Sequence, residues 1–262
     1  MNSLTIKETV KGVAKRLAGA LPVAWERSLR RAWYGGRAIE PEIRWLSRWC
    51  PPDKIAIDVG ANRGDYALYL CRLAREVWCF EPNPGLAREL RRLLAGQPVR
   101  VENTGLGSAE GELILQIPCV EGKEIHGWAS VDRDFTGESW QGRPIRHVRR
   151  EPIRIRTLDS YGFQEVGFIK IDVEGHEFEV LRGAEALLRA QRPNLLVEIE
   201  QRHHGGRSIH EIFDWLADLG YAGHFLRDGK LRPLAEFDVA TDQARPDEDG
   251  YLFNFYFTAE EI

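Results

Sequence analysis

No two cysteines of this chain stand in a CxxC spacing. The four, Cys50, Cys71, Cys79 and Cys119, lie mostly within apolar stretches, which argues against a disulfide framework or a zinc site and predicts buried thiols in a cytoplasmic protein. No apolar run approaches the roughly 18–20 residues of a membrane-spanning helix, and the N-terminus lacks the continuous apolar core of a signal peptide. Neither charge sign dominates: 36 Lys or Arg face 40 Asp or Glu, a net charge of −4. That balance argues against a duplex-wide nucleic-acid surface and for small or glycan-like partners. Internal repeats and low-complexity tracts are also missing.

What is present suits one large domain, or a core with additions. The chain has 262 residues, 43% of them hydrophobic and 29% charged, enough to bury a real core. Positive charge collects at one end, where residues 1–50 hold ten Lys or Arg against four acids. Within them Val10, Val13, Ala14, Leu17 and Leu21 recur at helical spacing, with Lys7, Lys11 and Lys15 on other faces. This predicts an amphipathic helix in an N-terminal helical extension, residues 1–50. Such a helix suits peripheral contact with an anionic membrane. Trp25, Trp33, Trp45 and Trp49 favour burial instead, on the core or in a homodimer, because so much aromatic surface usually ends up covered.

From Lys54 onward short β-rich runs alternate with helical patterns. "KIAIDVG", "EVWCFEP", "VRVENTGLG", "VGFIKIDVEG" and "PNLLVEIE" read as strands, with "DYALYLCRLA", "GLARELRRLLAG" and "EFEVLRGAEALLRA" as helices between them. This predicts a parallel sheet covered by helices on both faces across a domain of residues 51–262. "ELILQI" precedes, and "PIRIRTL" follows, a polar insertion at residues 121–151. After the helical "SIHEIFDWLADLGY", the segments "HFLRDGKLRPL" and "GYLFNFYFTA" predict an antiparallel pair at the sheet edge.

Open α/β sheets bind ligands at the carboxyl ends of their strands, and "DVGANRG" stands at such an end. Gly60 and Gly64 remove side chains that would keep backbone from a ligand, which suits a nucleotide-like guest. The pattern is neither GxGxxG nor a phosphate loop, which disfavours dinucleotides and ATP. Glu81 ends the second strand, 23 residues after Asp58, where this architecture binds ribose hydroxyls. Asn103, ending the third strand, suits an adenine edge or an ordinary turn.

Five segments in order, "IDVGANRGDYALYL", "FEPNP", "NTGLGSAEGE", "IRTLDSYG" and "IKIDVEGHEFEVLRGA", followed by "LLVEIE", resemble the FkbM family of S-adenosylmethionine-dependent methyltransferases. The resemblance covers residues 55–201 and the C-terminal "YLFNFYF". It implies a Rossmann-like, seven-stranded α/β methyltransferase sheet, mostly parallel with an antiparallel C-terminal edge strand. It also implies S-adenosylmethionine as co-substrate, with Gly60, Asn62, Gly64 and Tyr66 around its methionine part, Glu81 at the ribose, and Asn103 with Leu106 at the adenine. Asp58, Pro82 and Asn83, inside the same motifs, complete the expected cofactor set.

Methyl transfer to oxygen is an in-line displacement, so the protein must align the acceptor and remove its proton. Asp172 or His176 is the expected base. Glu174 and His203 join them as catalytic candidates, although Glu174 also suits the first turn of a helix. Glu198 and His204 are expected at the substrate. In the insertion, Trp128 and Ser130 offer an aromatic face and a hydroxyl to a sugar, or the segment is a homodimer contact. Asp172, Glu198 and His203 are of types that hold Mg²⁺ or Mn²⁺, but scattered acids do not make a site and no metal is expected. The sequence therefore predicts O-methylation of a hydroxyl on a glycan, glycolipid or related small molecule. The alternatives are a non-carbohydrate acceptor and a non-catalytic cofactor-binding module.

Overall fold

The computed structural model describes residues 22–36, 41–245 and 250–259. The predicted helix over Val10 to Leu21, with its lysines, lies outside the described residues, as does the side chain of Trp33.

The fold is built on strands whose runs of Ile, Val, Phe and Leu bury both faces, as expected where helices cover a parallel sheet. β1 (Ile55–Val59) and β10 (Val166–Ile171) are buried at every position. Between them come β2 (Glu76–Phe80), β3 (Val99–Glu102), β4 (Gly105–Leu106), β5 (Gly111–Val120), β6 (Lys123–Glu124), β7 (Ser139–Trp140), β8 (Arg143–Pro144) and β9 (His147–Arg156). After β10 follow β11 (Asn194–Glu198), β12 (Ala222–Arg227), β13 (Lys230–Pro233) and β14 (Asn254–Thr258). The main sheet runs β13-β12-β14-β11-β10-β1-β2-β3, mostly parallel, with helices on both faces.

The sheet differs from the sequence expectation in three details. It has eight strands rather than seven, because β13 folds back on β12 as an antiparallel hairpin and forms the edge. The C-terminal strand β14 is antiparallel as expected, but it is inserted between β11 and β12 rather than lying outermost. "PIRIRTL" and "ELILQI" do not join this sheet: β9 pairs antiparallel with β5 in a separate sheet ordered β4-β9-β5-β6. The third predicted strand divides accordingly, β3 staying in the main sheet while β4 pairs with β9.

Alternation along the strands sends two apolar layers to opposite faces. One contains Ile57, Phe80, Ile169, Val197 and Phe255; the other contains Ala56, Phe168, Leu196 and Tyr256. The second layer also receives Leu46, Trp49 and Cys50 from the N-terminal region, Trp49 meeting Tyr256 at 3.6 Å between ring centres. Trp45 is half-buried, whereas Trp25 is 66% exposed and does not pack on the core of the single chain. The described side chains of the helix Val23–Gly36 make polar contacts with the rest of the chain. Arg27 donates to the carbonyls of Leu93 and Ala95, and buried Glu26 accepts from Arg30 and Arg92. Cys50, Cys71, Cys79 and Cys119 are free thiols, the first three buried. No helix among the described residues is long and apolar enough to cross a membrane.

Candidate active site

The carboxyl ends of β1, β2 and β10 meet at a cleft whose floor is set by close backbone approach. A Cβ on Gly60 would stand 1.8 Å from the carbonyl oxygen of Asp172, and Gly60 has φ +77°. Only glycine fits there. Gly64, at φ +82°, lets the chain pass against Leu90, whose Cδ2 would lie 2.7 Å from an added Cβ. Between them Asn62 takes the left-handed φ of 46°. That conformation aims its backbone N–H at Glu81, which accepts it at 2.8 Å on Oε2.

Glu81 is buried and is shared between two loops, its Oε1 accepting the backbone N–H of Asn83 at 2.8 Å. Burial pushes its carboxyl up to about 7, against the pull of these two bonds. Two carboxylate oxygens have about four lone-pair directions, so both can still receive ribose hydroxyls from the cleft. Asn83 itself does not line the cleft: its Oδ1 caps the helix Pro84–Leu93 through the N–H groups of Gly85 and Leu86. Asn103 likewise ties loops together, its Nδ2 donating to the carbonyls of Glu81 and Pro82 at 2.9 and 2.8 Å. Pro82 and Leu106 do line the cleft.

The cleft holds about 300 Å³. Its apolar wall comes partly from the second sheet, through Leu115, Ile153 and Ile155. A neighbouring hollow of about 570 Å³ shares Gly60, Asn62 and Asp172 with it and is lined by Asp58, Tyr66 and Lys170. Lys170 is buried, with its Nζ 3.6 Å from Asp172 and 5.0 Å from the centre of the Tyr66 ring. Burial raises Asp58 to about 7 although Lys170 opposes the shift.

The turn after β10 brings Asp172, Glu174 and His176 to this cleft, and Glu198 joins them from β11. The insertion closes over the turn. Ser130 lines the cleft, and its Oγ donates to the Glu174 carbonyl at 2.7 Å. Asp132 meets His176, with Oδ2 2.6 Å from Nδ1. Trp128 does not line the cleft; its ring is covered by the Arg133 guanidinium, 4.4 Å from the centre. Arg133 also reaches His203, its Nη1 lying 3.2 Å from Nε2. A guanidinium only donates, so Nε2 accepts and the neutral ring carries its proton on Nδ1, which faces Glu174 at 3.3 Å. Burial pushes His203 down to about 4 and holds it neutral. The Glu174 carboxyl is pushed well up, first by burial and then by Asp172. His204 turns away from the cleft toward buried Glu177, 3.4 Å distant.

The structure thus gathers Gly60, Asn62, Glu81, Pro82, Leu106, Ser130, Asp172, Glu174, His176 and Glu198 around one cleft, with Asp58 and Tyr66 in the adjoining hollow. Asn83, Asn103, Gly64, Trp128, His203 and His204 support its walls or lie behind them. Sequence reasoning missed Asp132, Arg133 and the apolar side chains of β5 and β9. "ELILQI" and "PIRIRTL" are legible as strands, but nothing local says that they pair with each other.

The apolar wall, the buried Glu81 carboxylate and the glycine-floored loop suit an adenosine-containing methyl donor, and the family comparison agrees. A family model described as the methyltransferase FkbM domain matches residues 58–222. The chain is 28% identical over 149 residues to the hexuronic acid methyltransferase AglP of Haloferax volcanii, covering 56% of each chain. It is 26% identical over 189 residues to the AMB antimetabolite synthetase AmbE of Pseudomonas aeruginosa, covering 59% of this chain and 9% of that one. It therefore spans little more than half of the first relative and under a tenth of the second. Among solved structures, the FkbM methyltransferase of Methylobacillus flagellatus superposes with a TM-score of 0.49 at 16% identity, covering 78% of this chain and 43% of that one. With the family model matching more than half of its length, the chain belongs to the FkbM methyltransferase domain family.

Proposed function

We propose that the protein is an S-adenosylmethionine-dependent O-methyltransferase whose acceptor is a hydroxyl of a sugar or a sugar-linked molecule. The observation that carries the reaction type is the hydrogen-bonded His176–Asp132 pair at the cleft, between the cofactor-side loops and the insertion. Asp132 holds the proton on Nδ1 and leaves Nε2 as the base, and its charge stabilises the imidazolium that forms. The bound cofactor supplies an electrophilic methyl carbon. His176 takes the acceptor's hydroxyl proton as its oxygen attacks that carbon in line, and the neutral thioether leaves.

The carbohydrate acceptor is supported by the likeness to a hexuronic acid methyltransferase and by the polar groups of Ser130, Glu198 and His126 on the cleft wall. On this reading residues 121–151 form the acceptor-side insertion of a domain over 51–262, with 1–50 as its extension. The test is methyl transfer from labelled S-adenosylmethionine to a panel of hexuronates and glycosides, with the product identified as an ether by mass spectrometry. His176→Asn and Asp132→Asn are each expected to lower turnover by about 10²-fold while binding of S-adenosylhomocysteine persists. Full turnover in His176→Asn would remove it as the base. A wild type that binds the cofactor product but methylates no hydroxyl would favour a binding module.

A further inference from the structure

An acidic cluster in the cleft is built at the ends of two neighbouring strands, β10 and β11. One oxygen from each of Asp172, Glu174 and Glu198 lies within 4.8 Å of the others. Two oxygens bound to one hard cation at about 2.1–2.5 Å stand about 3–5 Å apart, so these three span the right distance to share an ion. Acidic clusters are common, and this one alone would say little. Asn254 supplies an independent sign.

Asn254 stands directly across from Glu198 in the antiparallel β11–β14 pair, so the two side chains share a face of the sheet. The β10–β11 register pairs Ile171 with Val197, which sets Asp172 beside Glu198 one residue further on. Asp172, Glu198 and Asn254 therefore form a row on one face at one level of the sheet, with Glu174 arriving from the turn. Asn254 is only 4% exposed, yet neither its amide oxygen nor its nitrogen has a hydrogen-bond partner. Burying such groups unsatisfied costs about 1–3 kcal/mol each, a cost that a bound ion would offset at the amide oxygen by taking one of its lone pairs.

We propose that Asp172, Glu174, Glu198 and the amide oxygen of Asn254 form a site for a hard divalent cation of the Mg²⁺ or Mn²⁺ class. Three carboxylates and an amide, with no sulfur and no imidazole, select such ions. A second trio, Glu174, Glu200 and His203, also lies within 4.8 Å, but Glu200 and His203 are held by other partners. Arg202 and Tyr251 hold Glu200, and Arg133 donates to His203. His203 instead faces Glu174 from behind, where it orients that ligand. In turnover the cation would lie within reach of the acceptor oxygen and make its proton easier for His176 to remove. That role rests on the methyl-transfer reading; binding of the ion does not.

Mn²⁺ is the probe. Protein stripped with chelator is titrated with Mn²⁺ and the free ion is followed by electron paramagnetic resonance, with binding of S-adenosylhomocysteine measured in parallel. One equivalent is expected to bind with a Kd below about 1 mM and to be displaced by Mg²⁺. Glu198→Gln and Glu174→Gln should each weaken it by about tenfold or more, whereas Asn254→Asp, which adds a charged ligand, should tighten it severalfold. Thermal melting identifies any variant that fails to fold, and Asn254→Asp tests the site from the opposite direction. Equal Mn²⁺ affinity in wild type and every folded variant, or no saturable binding to the wild type, overturns the site even if methyl transfer proceeds. Bound Mn²⁺ that responds to these substitutions supports it even if no acceptor is methylated.

Discussion

Glu81 joins two roles in one side chain. Its carboxylate faces the cleft and also fastens the Asn62 and Asn83 backbones, so removing it takes away a cleft-facing acceptor and two loop anchors together. Glu81→Ala is expected to weaken S-adenosylhomocysteine binding by about 1.5–3 kcal/mol and to lower the melting temperature. Calorimetric titration and thermal melting would check both, and unchanged affinity in a folded variant would remove Glu81 from the ribose site. Its place at the end of the second strand, facing the cleft, was legible in the sequence. Its bonds to Asn62 and Asn83 were not, because they depend on the left-handed turn at Asn62. Asp132 was hidden for a similar reason. It stands 44 positions from His176 in the chain and meets it only because the insertion folds back over the β10 turn.

Among the elements, the helix Pro84–Leu93 shows how a motif residue can serve the scaffold rather than the ligand. Proline opens it, Asn83 caps it, and Leu86, Ala87, Leu90 and Leu93 are buried. Asn83→Ala should cost about 1 kcal/mol by removing the cap. That loss is measurable by urea denaturation, with cofactor-product affinity changing far less than in Glu81→Ala. A large loss of affinity at unchanged stability would return Asn83 to the binding surface. Strands were legible wherever apolar residues ran together, as in "IAIDV" and "FIKI". Their partners were legible only where helices between them enforce a parallel crossover. β5 and β9 carry no such helix, so their patterns announce strands without saying which sheet they enter.

Across the whole molecule, buried acids set the response to pH. Asp58, Glu81 and Glu177 are buried, and desolvation pushes each from its ordinary value up to about 7. The folded chain therefore binds more protons than the unfolded chain between roughly pH 4 and 7. The stability these groups contribute is complete below that window and is lost as pH rises through it. The melting temperature is expected to fall between pH 5 and pH 8. Glu177→Gln should flatten that fall and raise stability at pH 8 by about 1–2 kcal/mol, or about 2–8 °C. Its amide oxygen can still accept from Gly175, while its nitrogen would face His204 in place of a carboxylate oxygen that has no partner. A slope identical to wild type would mean that this carboxyl keeps its charge when buried.

The insertion of β14 between β11 and β12 gives the fold an order of assembly. During synthesis β11 leaves the ribosome some fifty-five residues before its antiparallel neighbour β14 exists, and β12 and β13 have no seat in the sheet until β14 arrives. A nascent chain thus completes its parallel half first and carries an open strand edge until residues 254–258 emerge. Asn254 arrives with that closing strand, so the row of Asp172, Glu198 and Asn254 across the sheet is finished in the same late step that seals it.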